Sequence, residues 1–299
     1  MTKLEVKIGK MRLKNPVMVA SGTFGYAEEF EDLVDLKQLG AIVTKTITLK
    51  PRQGNPMPRI CETASGMLNA IGLQNDGLEN FIEEKLPYLS RLGVPIIVSI
   101  SGDSVGEFCK LAKVLDKEKG VDGIELNISC PNITNKSGTS PKGTNDALIA
   151  QDKDATRDLV KKVRMVTNKT LITKLSPNVT DIVEIAQAAC KAGTDAVSLV
   201  NTFLGMAIDI ETGKPRLGNI TGGLSGPCIK PIALRMAWEV ARNIKQPVIG
   251  MGGIMTAGDA IEFMLAGAKA VQVGTANFVE PGICGKIIKG IEKWIKTKS

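Results

Sequence analysis

The sequence predicts a closed (β/α)₈ barrel, a TIM barrel with extended βα loops at the C-terminal face, for three reasons. Eight short β-branched runs alternate with eight segments of helical period, no shift in composition divides the chain, and each long irregular stretch follows a strand. The strands fall at residues 16–22, 41–46, 95–100, 123–129, 170–176, 196–202, 247–253 and 270–275. The helices fall at 27–39, 76–92, 104–119, 152–168, 180–193, 228–245, 256–267 and 282–297, several opened by Asp or Thr and followed by Gly. A doubly wound open sheet has the same alternation and stands as the alternative. The 299 residues allow two average domains, yet a barrel takes about 250 residues as one unit, so 1–299 is expected to be a single domain.

Three stretches exceed a minimal barrel: 47–75, with Pro51, Pro56 and Pro58; 130–151, rich in Gly, Ser, Thr, Asn and Lys; and 203–227. All follow strands, so all lie at the C-terminal mouth, where long loops build active sites.

Composition narrows the chemistry. The chain has no histidine, which removes the commonest general base and the commonest metal ligand together. Its six cysteines form no C-x-x-C pair, so neither a zinc site nor an iron–sulfur cluster is expected within it. The net charge of +7 comes from lysines scattered along helices, with Lys286, Lys289, Lys293, Lys296 and Lys298 on a solvated C-terminal helix face, which does not suggest nucleic-acid binding. The opening MTKLEVKIGK lacks the apolar run of a signal peptide, and no apolar stretch approaches a membrane span, so a cytoplasmic protein is expected.

Strands seven and eight end in glycine, at Gly252–Gly253 and at Gly274 before Thr275. Backbone N–H groups there can approach an anion, and phosphate sites recur after these strands. The phosphate could belong to a substrate or to FMN, and glycine also serves tight turns. Lys45 and Lys174 sit at the ends of apolar strands, where a lysine is costly unless it meets an anion. A Schiff-base aldolase would use such a lysine too. Asn69, Asn75, Asn127, Asn132 and Asn201 lie at strand ends or in the long loops, and converging amides suit a planar ring of alternating N–H and C=O groups. Cys130 directly follows strand four, where loop backbone and lysines would ease its ionisation and make it a usable base. Cys109 and Cys190 lie in helices and read as packing.

Taken together, ASGTFGY (20–26), TKTITLKPRQGNPMPRICET (44–63), GMLNAIGLQNDG (66–77), NISCPN (127–132), KLSPNVTDI (174–182), residues 201–227 and the two glycine motifs resemble one family over nearly the whole chain. It is the catalytic subunit of the NAD-linked, two-subunit bacterial dihydroorotate dehydrogenases of pyrimidine synthesis. The resemblance implies one FMN, contacted by Ser21, Lys45, Thr46, Ser99, Asn127, Lys174, Val200, Gly226, Gly252, Gly253, Gly274 and Thr275. It implies that dihydroorotate and orotate are held by Lys45, by Asn69, Ala70, Ile71, Gly72 and Leu73, and by Asn127, Asn201 and Thr202. Cys130 would take the C5 proton while hydride leaves C6, and Lys174 would stabilise charge near the flavin ring. FAD and an iron–sulfur cluster are expected only on a partner subunit, with a homodimer of this chain inside a heterotetramer.

Two positions depart from the family. Ser99 stands where relatives often carry a flavin-contacting Asn, and residues 133–152 lack the Gly-Gly-x-x-Phe-Gly pattern expected of the loop over the substrate. A dihydropyrimidine dehydrogenase-like FMN subunit is the nearest rival, although its S-C-P motif is typically followed by His and here Asn132 follows. A phosphate-substrate aldolase or isomerase barrel is the rival from another class.

Overall fold

The computed structural model describes residues 4–128 and 149–298. Eight parallel strands, Val17–Val19, Ala41–Val43, Ile96–Ile100, Gly123–Asn127, Thr170–Lys174, Ala196–Leu199, Val248–Met251 and Ala270–Val273, close into a barrel in chain order, the last pairing with the first. Each lies inside a run expected from the sequence, and the open-sheet alternative falls away. They are legible because helices cover the outside and side chains fill the inside. Both faces are therefore apolar, and each strand reads as a continuous run, as Ile96–Ile100 does, buried at every position.

Six of the expected helices form with trimmed ends, including Val105–Leu115, Lys153–Arg164, Ile182–Lys191, Lys230–Asn243, Ala257–Leu265 and Ile283–Lys298. Three of these starts are fixed by Asp or Thr side-chain caps: Asp152 accepts from Asp154 N and Ala155 N, Asp181 from Val183 N and Glu184 N, and Thr256 forms a capping box with Asp259. The expected 27–39 helix is corrected to two 3₁₀ turns, Glu28–Phe30 and Leu36–Gln38. Phe24 and Phe30 stack at 3.9 Å between ring centroids, so the apolar side chains that suggested a helix are satisfied by a compact turn. The 76–92 helix contains a π-helical turn, Phe81–Lys85, ahead of Pro87, which has no N–H to continue the regular ladder.

Two further units were not anticipated. An N-terminal hairpin, Val6–Ile8 with Met11–Leu13, closes the barrel's N-terminal end. Its Ile8, Met11 and Leu13 pack in one buried cluster with Met18, Ala41, Val43, Ile97, Ile172, Ala196, Ile249 and Ala270. Lys10 at its turn donates to Thr170 Oγ1 and to the Asn168 carbonyl. Ile8 is fully buried, and Ile8→Ala is expected to reduce unfolding free energy by about 2–5 kcal/mol in a urea titration. A loss under about 1 kcal/mol would show that the plug is not packed as described. At the opposite end, the excursions after strands two and six are not the loops expected. They pair as a four-stranded antiparallel sheet, in the order Phe203–Met206, Thr221–Ser225, Gly66–Asn69, Ile60–Thr63.

Candidate active site

The hairpin-facing residues fix the inward parity of the strands. Side chains alternate with a period of two, so the next inward positions toward the mouth are Ala20, Lys45, Ser99, Lys174, Ser198, Met251 and Gln272. The register sets Asn127 beside Lys174 and Lys174 beside Ser198, so Glu125 and Asn127 share this parity. Both lysines therefore face inward because strand geometry turns them there.

Above this layer lies a cavity of about 1200 Å³, walled by strand ends on one side and by the antiparallel sheet on the other. A single small ligand typically occupies roughly 300–1,000 Å³, so there is room for a cofactor together with a substrate. Ser21, Lys45, Thr46, Asn127, Lys174, Val200, Gly226, Gly252, Gly253, Gly274 and Thr275 all line it, as do Asn69, Ile71, Gly72, Leu73, Asn201 and Thr202. Two expected residues do not. Ala70 is buried in a small cluster with Leu68 and Leu217 beneath the sheet, and Ser99 is fully buried behind Thr46. Cys130 and Asn132, with residues 133–148 of the atypical loop, lie outside the described residues.

The polar wall is ordered by its own hydrogen bonds. Thr46 Oγ1 is the hub: Ser21 Oγ lies 3.1 Å away, Ser99 Oγ 2.8 Å away, and Asn127 Nδ2 donates to it over 3.0 Å. Asn201 Nδ2 donates to Asn127 Oδ1 at 3.4 Å, and the Thr202 N–H donates to Asn201 Oδ1. Side chains from strands two, three, four and six are thereby fixed before any ligand arrives, which reduces the ordering cost of binding. Ser99 thus contributes from behind the wall by holding Thr46. Asn75 is bound instead to local backbone, accepting from Thr48 N and Gly77 N and donating to the Leu73 carbonyl, so it shapes the turn.

At the far end, Gly252 and Gly253 have φ of +118° and +74°, a left-handed run that side chains resist. A Cβ on Gly253 would come within 2.8 Å of the Lys230 backbone nitrogen. A Cβ on Gly274 would meet only Ala20 and Thr23 at 3.7 Å, so its effect would be to occupy cavity space. Successive N–H groups lining a cavity without side chains in front of them form a cradle for an anion.

The lining also includes groups that the sequence reading did not single out: Tyr26, Glu29, Asp76, Lys85 and Ser225. Tyr26 stands at the end of the ASGTFGY run, which was its available signal. Burial, then the carboxylates of Asp76 and Glu29, push its hydroxyl up to about 12, so it holds its proton at neutral pH. Ser225 Oγ lies 2.8 Å from Thr275 Oγ1 and ties the small sheet to strand eight. Among the described residues no cluster of Cys, Asp or Glu is arranged to hold a metal ion, and no helix is long and apolar enough to cross a membrane. Burial raises the thiols of Cys109, Cys190 and Cys284, to about 11 for Cys190 and about 12 for Cys284, consistent with packing roles.

A closed parallel barrel with a glycine cradle after strands seven and eight, inward lysines and prearranged amides defines a class: a barrel whose mouth is lined to suit an anionic group at one end and a planar polar ring beside it. Within that class, the chain belongs to the dihydroorotate dehydrogenase family, whose model matches residues 3–295. It is 55% identical over 293 residues to a protein of Geotalea uraniireducens named "Dihydroorotate dehydrogenase B (NAD(+)), catalytic subunit", covering 98% of this chain and 93% of that one. A protein of the same name from Trichlorobacter lovleyi is 56% identical over 292 residues, and one from Geobacter sulfurreducens 55% over 292, with the same coverage.

Proposed function

We propose that the chain, acting as one domain over 1–299, oxidises dihydroorotate to orotate in pyrimidine synthesis as the FMN-bearing catalytic subunit of an NAD-linked enzyme. The observation that carries the reading is the joining of the glycine cradle and the amide-lined wall in one cavity large enough for cofactor and substrate. The donor set fits FMN. Gly252, Gly253, Gly274 and Thr275 suit its phosphate; Ser21, Thr46, Asn127, Lys174, Val200 and Gly226 suit its ribityl chain and ring. When bound, FMN supplies the acceptor for the hydride from substrate C6. Asn69, Ile71, Gly72 and Leu73, with Asn127, Asn201 and Thr202, hold the pyrimidine edge, and Lys45 holds its carboxylate. Cys130 takes the C5 proton.

Two measurements test this. Anaerobic mixing of the FMN-loaded protein with dihydroorotate is expected to bleach the flavin absorbance; a loaded protein that stays yellow would overturn the reading. The isolated chain is also expected to reduce NAD inefficiently until a second subunit is added. That subunit is expected to carry FAD and an iron–sulfur cluster, because clustered cysteines and a G-x-G-x-x-G turn are both missing from this sequence. Rapid NAD reduction by the isolated chain would reject the need for a partner. A homodimer within that assembly is part of the same reading.

A further inference from the structure

Of the 38 basic and 31 acidic residues in the chain, Glu125 and Lys174 are the two that are buried among those described. They are neighbours inside the barrel, with Lys174 Nζ 4.0 Å from Glu125 Oε1. The other carboxylate oxygen, Oε2, accepts from Ser198 Oγ and from Gln272 Nε2, both at 2.9 Å. Oε1 has no hydrogen-bond partner. Lys174 lines the cavity, whereas Glu125, Ser198 and Gln272 do not, so the carboxylate stands behind the lysine as seen from the ligand side.

Two neutral donors orient a buried carboxylate but leave its charge uncompensated, and a lone buried ammonium would tend to shed its proton. Each charge therefore requires the other. A pair of this kind is a poor device for stability, since well-packed apolar residues often serve an interior at least as well. We propose that Glu125 is a positioning residue: anchored from behind by Ser198 and Gln272, it holds the Lys174 amine at the cavity floor by the charge of its free oxygen, with hydrogen-bond donors left over for a ligand. The surrounding strands present neutral Ser198 and Gln272 to the pair. Lys45, from strand two, is the other inward cation of the wall, and Cys130 follows Glu125's own strand outside the described residues.

Only one consequence rests on the FMN reading: the ammonium steadies negative charge developing on the flavin ring. The first test does not depend on it. Flavin-free protein is treated with trace acetic anhydride at pH 8 and each lysine's acetylation rate is read from its peptide, because only the neutral amine reacts. Glu125→Gln is expected to raise the Lys174 rate about tenfold, while Lys45 changes less than about twofold. An unchanged Lys174 rate overturns the proposal. Should Glu125→Gln fail to fold, Glu125→Asp, which keeps the charge but withdraws it by a methylene, decides in the same way: a smaller rise supports the pairing and no rise rejects it. In the FMN-loaded protein, Glu125→Gln is expected to make the flavin midpoint potential fall more steeply from pH 6 to pH 9 than in the wild type. A parallel profile would overturn the action on flavin, whereas failure to take up FMN would count against the proposed function and leave the acetylation result standing.

Discussion

Cys130→Ser is expected to bind FMN and orotate nearly as the wild type does while reducing its flavin with dihydroorotate about 100- to 10,000-fold more slowly at pH 7, the span typical of a lost general base. Serine keeps the shape of cysteine but is far less acidic. The expectation draws on the S-C-P setting after strand four, on the lack of histidine, and on what the described cavity wall offers instead. Tyr26 is held protonated, its hydroxyl pushed up to about 12. Lys174 is paired with Glu125. Glu29 and Asp76 lie beside Tyr26, on the segments that follow strands one and two. Stopped-flow reduction from pH 6 to 10, with Cys130→Ala to control for the serine hydroxyl, measures the loss. Reduction within a few-fold of wild type in both variants would return the role of base to a carboxylate or lysine.

What the sequence made legible follows from which physical signals are local. Barrel strands buried on both faces announce themselves as apolar β-branched runs, and the helix starts were marked by Asp152, Asp181 and Thr256 because capping needs only neighbouring backbone. Lys45, Lys174 and Asn127 could be picked out because a polar residue at the end of an apolar strand is an exception that needs a reason. The antiparallel sheet stayed hidden because Thr221–Ser225 carries Gly222 and Gly223 in place of alternating side chains, and a Cβ on Gly223 would come within 2.0 Å of Thr202 Oγ1. Its pairing with Gly66–Asn69 joins segments about 150 residues apart, which no local pattern encodes. Ser99 was assigned to the cavity from the resemblance, yet it is separated from the cavity by Thr46, and depth behind a wall is a tertiary property. Glu125 was passed over because inside GIELN it looks like one acidic residue among 31 until the register places it against Lys174.

Lys45→Ala is expected to weaken orotate binding roughly 10- to 100-fold, since truncating one partner of a charge-assisted hydrogen bond costs about 1.5–3 kcal/mol. Lys45 projects from the end of strand two, where its backbone N–H donates to the Gly25 carbonyl at 2.9 Å and fixes the root of the side chain. It lines the cavity and, unlike Lys174, makes no ion pair among the described residues. A lysine in that position keeps its charge available for an arriving anion, and the substrate carboxylate is the natural recipient because the other lysines that line the cavity, Lys85 and Lys174, are paired with Glu28 and Glu125. The measurement is a fluorescence titration of the FMN-loaded variant with orotate at two salt concentrations. Wild-type affinity should fall as salt rises, because screening weakens the charge pairing, and the variant's affinity should fall less. Affinity of Lys45→Ala within about twofold of wild type, with an unchanged salt response, would reject the role and leave carboxylate recognition to the Asn69–Leu73 segment alone.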